Sequence, residues 1–458
     1  MKQEVQKLKK KVMKQIQKIT TLLVVLTLLF TRCGKDDDAP QNGAPQITNK
    51  EFTVAEDTPH LTVFGNIVAT DADNDALMYS ITANNNDLFA ISETGDLSLD
   101  TKKELNYDTA QTHTITVAVT DGTNTTKATI TITVTNVDVY AVGFKDNGTN
   151  NIATLWVDGE ETVLGENNKE SIAAAVHVSG ENVYIIGREN EGGSNTAMLW
   201  KKGGATTTTS LTDGTTNAYT TGISVSEDGT TYIVGSKNNG TKGVAVLWQN
   251  EQEIELIDGI NGTSANYAAN GVFISGTDVY IAGFVNDGTK LTATLWINGT
   301  PEPLTANGTS LARSVYVDGT DVYVVGYIRE GIKNIATLWK NGVPTTLTET
   351  IFNTDAHSVY VANNTVYVGG EETTSEGGEK AILWEIGASP TAFTAGMLGA
   401  SVYSTFALGN NVYAGGFEET SIKNPRARIW KNGTPVLLTD GDDGDDNSGV
   451  YGIYVTKE

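Results

Sequence analysis

Apolar and polar residues alternate with a period of two along most of this chain, and they do so in short bursts. Between Gln46 and Val134 the bursts predict strands at 51–54, 66–70, 78–81, 88–91, 96–99, 113–119 and 128–134. The alternation is plainest at Thr114-Ile115-Thr116-Val117-Ala118-Val119 and at Ala128-Thr129-Ile130-Thr131-Ile132-Thr133-Val134. Side chains of a strand point to opposite faces in turn, so one face of each is apolar and the other Thr-rich and wet. About seven short strands within some ninety residues, separated by turn residues, predict a β-sandwich.

From Val139 onward the alternation is organised into a repeat. A Tyr followed three residues later by Gly recurs seven times, at Tyr140/Gly143, Tyr184/Gly187, Tyr232/Gly235, Tyr280/Gly283, Tyr323/Gly326, Tyr367/Gly370 and Tyr413/Gly416. A Trp follows each Tyr by sixteen or seventeen residues, at Trp156, Trp200, Trp248, Trp296, Trp339, Trp384 and Trp430, and these are all the tryptophans of the chain. One unit reads as four strands near 314–318, 321–326, 335–340 and 345–348. Four strands repeating every 45 residues or so predict a β-propeller of seven blades. The first unit begins at its second strand, 139–143, and the chain ends on a spare first strand, 451–455. Fitting the one into the other closes the array and removes an exposed sheet edge. The expected fold is therefore all-β: a sandwich over 45–138 and a propeller over 139–458 closed by the C-terminal strand. The Trp residues are expected to be wedges in the core.

The start of the chain has a different character. Lys2, Lys7, Lys9, Lys10, Lys11, Lys14 and Lys18 precede the apolar run Thr21–Phe30, which is too short to span a bilayer. Cys33, the only cysteine, follows directly, and then Gly34-Lys35-Asp36-Asp37-Asp38. This resembles a lipoprotein signal peptide over 1–33, with Cys33 as the lipid attachment site. The acidic residues behind it resemble the surface-export tag of Bacteroidota lipoproteins. Arg32 departs from that pattern, since a small residue is usual there. Residues 34–44 read as a flexible acidic tether. The resemblance implies an exported lipoprotein of the outer membrane at the cell surface. A formal charge of -24 argues against nucleic-acid or anionic-membrane binding and suits divalent cations.

Acidic residues of the first unit stand at strand ends, not along strands. A sandwich gathers its loops at two poles, where carboxylates distant in sequence can meet. Calcium requires such convergence, because it takes six to eight oxygen ligands. Val54-Ala55-Glu56, Asp71-Ala72-Asp73, Tyr79-Ser80-Ile81, Thr94-Gly95-Asp96-Leu97, Leu105-Asn106-Tyr107-Asp108 and Val117-Ala118-Val119-Thr120-Asp121 run in the order and spacing of a cadherin repeat. The unit is thus similar to a cadherin domain. That resemblance implies calcium ligands at Glu56, Asn106, Asp108, Asn136 and Asp138 at one pole and at Asp71, Asp73 and Asp121 at the other. Asn106 and Asp108 stand where Asp and Glu are usual, and Val139 and Tyr140 stand at two ligand positions. Each cage then lacks oxygens, which predicts weak affinity, ~10⁻⁴–10⁻³ M. The resemblance also implies adhesion at a cell surface. Self-adhesion in animal cadherins resides in specialised terminal strands that this sequence does not show.

The repeat resembles extracellular bacterial units built around A-x-L-W-x-x-G. Its long, variable connections fall on one face, the expected binding surface. Two residues ahead of each innermost strand's apolar register stand Ala174, Thr221, Asn270, Arg313, His357, Tyr403 and Tyr451. Arg313, His357, Tyr403 and Tyr451 come from consecutive units and are the candidate ligand-binding residues, suited to a carboxylate, a phosphate or a sugar. The acidic loop Asp440–Asn447 is a further cation candidate. No catalytic motif is present: four histidines lack metal-ligand spacing, and there is no nucleophile elbow or phosphate loop. The reading is a non-enzymatic adhesion or recognition protein, binding a glycan or a protein. A polysaccharide hydrolase or lyase, or a structural subunit of an outer-membrane complex, are the alternatives.

Overall fold

A computed structural model describes residues 42–457, apart from 204–205, 257–265, 306–307, 349–350, 420–423, 437 and 439–446. Cys33, the segment 1–33 expected to be a signal peptide and all of the loop Asp440–Asn447 but Asn447 lie outside the described residues. The protein is all-β; among the described residues there is no α-helix, only one 3-10 turn at Asn85–Asp87, and no helix long and apolar enough to cross a membrane.

Two sheets make up the first part. One has four strands in the order Lys50–Ala55, Thr125–Thr135, Thr112–Thr120, Met78–Asn84, with the first pair parallel. The other has three, in the order Val63–Asn66, Asp96–Leu99, Phe89–Ile91. Their inward side chains form one core, in which Leu97, Leu99, Ile115, Val117, Val119, Ile130 and Ile132 are buried. The alternating Thr of the longer strands stay on the outer face, as the pattern requires. The strand expected at 66–70 lies earlier, at Val63–Asn66, and residues 67–70 contribute only an isolated bridge from Thr70 to Gln46. Ile67 is nevertheless fully packed, at 1% exposure: the apolar signal was a core position, not a ladder.

Only Asn136 separates Thr125–Thr135 from the next strand, Val137–Asp146. From there on the chain forms seven four-stranded antiparallel sheets, none of them closed into a barrel. The first strands of sheets two to seven are Ser171–Ser179, Ala218–Val225, Asn266–Ser275, Ser310–Asp318, Thr354–Ala362 and Ala400–Leu408. Sheet one joins both ends of this region: Val137–Asp146, Asn151–Val157 and Glu160–Val163 are completed by Ser448–Lys457, which pairs antiparallel with Val137–Asp146. Each first strand packs on the first strands of the two neighbouring sheets, and Ser448–Lys457 touches both Ser171–Ser179 and Ala400–Leu408, so the contacts run in a cycle. All seven Trp are buried at 2% exposure or less, which fits core wedges and leaves no face for stacking a sugar.

The outermost strand of sheet five is Val343–Thr346, two residues before the expected 345–348. The turn Asn341-Gly342 places both residues at positive φ, 52° and 77°, a two-residue hairpin geometry that Asn-Gly favours. Asn341 also accepts the Val322 N–H through Oδ1 at 2.8 Å, pinning the start of the second strand. Asn298 and Asn432 do the same for Val279 and Val412, and Asp158 for Val139.

Candidate functional site

Every first strand of the seven sheets carries a β-bulge at the same place. The extra residues are Ala174, Thr221, Asn270, Arg313, His357, Tyr403 and Tyr451. A bulge leaves its residue unpaired and redirects the side chain. The carbonyl of the residue two before it lies close against the second strand. A Cβ on Gly326 would overlap Leu311 O, and the other repeated glycines meet the equivalent carbonyl. The Tyr-x-x-Gly spacing is thus the imprint of the bulge.

The seven bulge residues line one cavity of about 190 Å³. Several also tie one sheet to the next. Thr221 Oγ1 donates to Ala269 O at 2.8 Å and Asn270 Nδ2 to Ala312 O at 2.7 Å. Arg313 donates through Nε and Nη2 to the two carboxylate oxygens of Asp355, at 3.0 and 2.6 Å. Asp355 is buried, and the pair raises the guanidinium above its ordinary value against the opposing effect of burial. Arg313 is thus charge-balanced by Asp355 and reaches the cavity already paired. His357 meets Tyr403 edge-on at 5.0 Å between centroids, and Tyr403 meets Tyr451 at 5.1 Å and Phe417 at 5.8 Å. Burial pushes the hydroxyls of Tyr403 and Tyr451 up, so these two phenol rings are neutral, half-buried faces.

Three residues further along each first strand runs a collar the sequence reading missed. His177, Tyr454, Phe406, Tyr360, Tyr316 and Phe273 follow one another with centroids 4.5 to 4.9 Å apart. Only sheet three breaks it, with Ser224 in the equivalent place. The signal was legible as a ring between two smaller residues, as in Val315-Tyr316-Val317. Burial pushes His177 down to about 4.

A second unforeseen cluster sits where the two parts of the chain meet. Asp57 accepts from Asn411 Nδ2 and from Tyr413 OH, both at 2.6 Å, and its carbonyl accepts from Lys431 Nζ at 2.8 Å. Nearby, burial pushes Asp158 up to about 6; the Val139 N–H opposes this, and the charges of Asp138 and Glu56 add to it.

The expected calcium ligands divide by pole. At the pole facing the sheets, Glu56 accepts the N–H groups of Tyr107 and Val137, each at 2.8 Å. Asn106 Oδ1 accepts from Thr109 N, and Asp138 Oδ1 accepts from Asn136 Nδ2; Asp108 is exposed. These oxygens are largely engaged within the protein. At the opposite pole Asp73 accepts from Gly43 N at 2.7 Å, and Asp121, held below the usual carboxylate value chiefly by the Asn124 N–H, also accepts from Asn42 Nδ2 at 3.3 Å. Here Asp71 Oδ2 and Asn42 Oδ1 are buried oxygens without any hydrogen-bond donor. Buried acceptors are rarely left so, and a hard cation is one way to complete them. Among the described residues, no three His, Cys or carboxylate side chains converge closely enough to hold a metal by themselves. Asn42, an amide oxygen not singled out in the sequence, would have to contribute.

Residues 50–135 match the cadherin domain family. Similar solved structures include human mucin-like protocadherin EC1-2, at 23% identity over 21% of this chain and 55% of that one, with a TM-score of 0.19. Drosophila N-cadherin EC1-3 is 24% identical over 21% of this chain and 35% of that one, with a TM-score of 0.20. The third cadherin domain of human protocadherin 7 is 21% identical over 22% of this chain and 93% of that one, with a TM-score of 0.19. This chain thus spans about half the length of the first of these structures. No curated protein matches.

Proposed function

We propose that this is a cell-surface recognition protein in which a cadherin domain carries a seven-bladed propeller. Cys33 anchors it to the outer membrane as a lipoprotein, and the long-connection face of the propeller meets a glycan or protein partner without turnover. The observation that carries the reading is the shared cavity: seven equivalent bulges turn seven side chains into one opening, and the cycle of contacts through Ser448–Lys457 supports a closed propeller around it. Concave sites at the mouth of a rigid β-scaffold are common places for a ligand. The Asp57 clamp and the single-residue link at Asn136 hold the cadherin domain to the sheets as a stiff spacer.

Calcium binds, in this reading, at the pole remote from the sheets. Asp71, Asp73, Asp121 and the Asn42 amide would hold it, and it would order the segment leading from the membrane. The test is the melting of residues 36–458 against calcium concentration. A ligand that binds only the folded state adds about 2.7 kcal/mol at a hundredfold excess over Kd. Asp71→Ala and Asn42→Ala should abolish that gain and Asp108→Ala should keep it. Loss of the gain in Asp108→Ala alone, or no gain up to several millimolar calcium, would remove the assignment.

A further inference from the structure

The cavity formed by the seven bulges is a place where the chain leaves polar groups unspent. Six hydroxyl side chains line it, and four of them are committed inside the protein. Thr221 donates to Val234 O and Ala269 O. Ser314 and Ser404 accept the N–H groups of Val359 and Ile453, and Ser358 shares a hydrogen bond with Thr405 at 3.0 Å. Tyr403 and Tyr451 are different. Neither hydroxyl has a hydrogen-bond partner among the described residues, and neither is closed off from solvent.

The two phenol rings are supported from the second strands of their own sheets. Phe417 stacks on Tyr403 at 5.8 Å and 25°, and Phe144 lies 5.9 Å from Tyr451 at 30°. With Tyr403 and Tyr451 only 5.1 Å apart, one side of the cavity is an aromatic wall tipped with hydroxyls.

The charge of the lining is compensated. Arg313 is its one permanent charge, and Asp355 engages two of its N–H groups. A guanidinium has five, so three remain to donate from a pair without net charge. His357 turns Nε2 towards Glu371 at 3.5 Å. Arg188, whose field reaches Tyr451, is outside the lining and 3.7 Å from Glu170. A carboxylate or phosphate entering the cavity would come near Asp355 and Glu371 as well as Arg313, and a cation would meet Arg313. An uncharged ligand meets neither repulsion and keeps no charge to desolvate.

We propose that this mouth binds one uncharged pyranose ring, at the end of a glycan or as a free sugar. The C–H face of the ring packs on Tyr403 and Tyr451. Its hydroxyls meet the two phenol hydroxyls and the N–H groups that Asp355 leaves on Arg313. A sugar hydroxyl both donates and accepts, which suits phenols that do either and a guanidinium that only donates. A volume of about 190 Å³ suits one ring and not a run of them. The proposal rests on the reading of this mouth as the recognition site and gives it a ligand class.

The experiment is calorimetric titration of the full chain with methyl glucopyranoside, methyl galactopyranoside and methyl mannopyranoside, each beside the methyl uronate of the same configuration. At least one neutral glycoside is expected to bind, at least tenfold more tightly than its uronate. The methyl group stands in for the rest of a glycan; tighter binding by the free reducing sugar names the free sugar as the source. Tyr403→Phe and Tyr451→Phe keep the rings and remove hydroxyls that bond nothing in the protein. Each should therefore leave the melt followed by Trp fluorescence unchanged and weaken the sugar at least fivefold, a result independent of folding. Absence of binding by all six compounds at about 50 mM overturns the proposal and removes the cavity as the recognition site. Tighter binding by the uronates overturns the proposal alone, and the mouth keeps its recognition role with an acidic ligand. Sugar binding that both Phe variants leave unchanged also overturns it.

Discussion

Asp57→Ala tests how the two parts of the chain are held together. The substitution keeps the main-chain carbonyl that Lys431 reaches and removes the carboxylate that accepts from Asn411 and Tyr413 at 2.6 Å each. A hydrogen bond to a charged group contributes roughly 1.5–3 kcal/mol. The two bonds share one acceptor and do not add fully, so the loss is about 3 kcal/mol. Part of it is the desolvation of what stays behind: Tyr413, 2% exposed, loses the acceptor of its hydroxyl, while Asn411 keeps the Asp57 carbonyl at 3.0 Å. None of the cadherin domain's own core is touched. A domain of this size loses about 4–8 °C of melting temperature per kcal/mol, so its transition should fall by about 12–24 °C. The assay separates the two parts without labels. All seven Trp lie beyond the cadherin domain, so their fluorescence follows the seven sheets alone while calorimetry records both transitions. Asp57→Asn keeps one acceptor and should cost less than half as much. If Asp57→Ala moves neither transition by more than about 1 °C, the clamp contributes nothing and the junction is held by strand continuity alone.

Two further outcomes follow from the seven sheets. Burial lowers the pKa of His177 from 6.5 to about 4. The unfolded chain therefore binds the extra proton first, and stability present above pH 6.5 is lost as pH falls towards 4, by roughly 3 kcal/mol in all. Replacing His177 with Phe, the ring already present at Phe273 and Phe406 in the same collar, should flatten the urea midpoint between pH 6.5 and 5; an unchanged slope would show that the imidazole is not the titrating group. Gly452→Ala puts a Cβ 2.8 Å from Ala175 Cα and 3.1 Å from Val142 Cγ2. Backbone cannot yield as a flexible side chain can, so the unfolding free energy read from urea titration should fall by about 1–3 kcal/mol; no change would mean that sheets one and two pack less closely at this point.

What the chain declares about itself is local. The pairing beside the bulge leaves Gly326 no room for a Cβ against Leu311 O, and the two-residue hairpin takes positive φ twice, so Gly326 and Asn341-Gly342 stand out in the sequence. The seven Trp stand out because each fills the same space. Alternation likewise reports which face a residue takes. It does not report what the residue meets there. Asp355 was invisible as the partner of Arg313, 42 residues away, and Tyr413 as the partner of Asp57, 356 residues away. Both pairs join units that are separate in sequence; the repeat sets Arg313 and Asp355 on first strands of consecutive sheets but does not say which side chains meet there. The strand misplaced at 66–70 failed for a related reason, because Ile67 is packed by its neighbours outside any ladder.

A repeat of near-equivalent sheets allows one more step. Where seven units share a backbone, each side-chain difference at an equivalent position changes chemistry without changing the frame. At the bulge, sheets two to four present Ala174, Thr221 and Asn270, and the latter two spend their polar groups on the neighbouring sheet. Sheets five to seven present Arg313, His357 and Tyr403, with Asp355, Glu371 and Glu379 behind them. The exposed apolar residues Ile332 and Met397 belong to connections of the same three sheets. At the bulge, the charged and aromatic side chains thus come from one arc of the cycle, while Thr221 and Asn270 in the other arc are spent on the neighbouring sheet. A partner that read the whole mouth would need all seven positions. One that read a single side chain would need only this arc, and its affinity would be indifferent to changes at Thr221 and Asn270 that keep the sheets together.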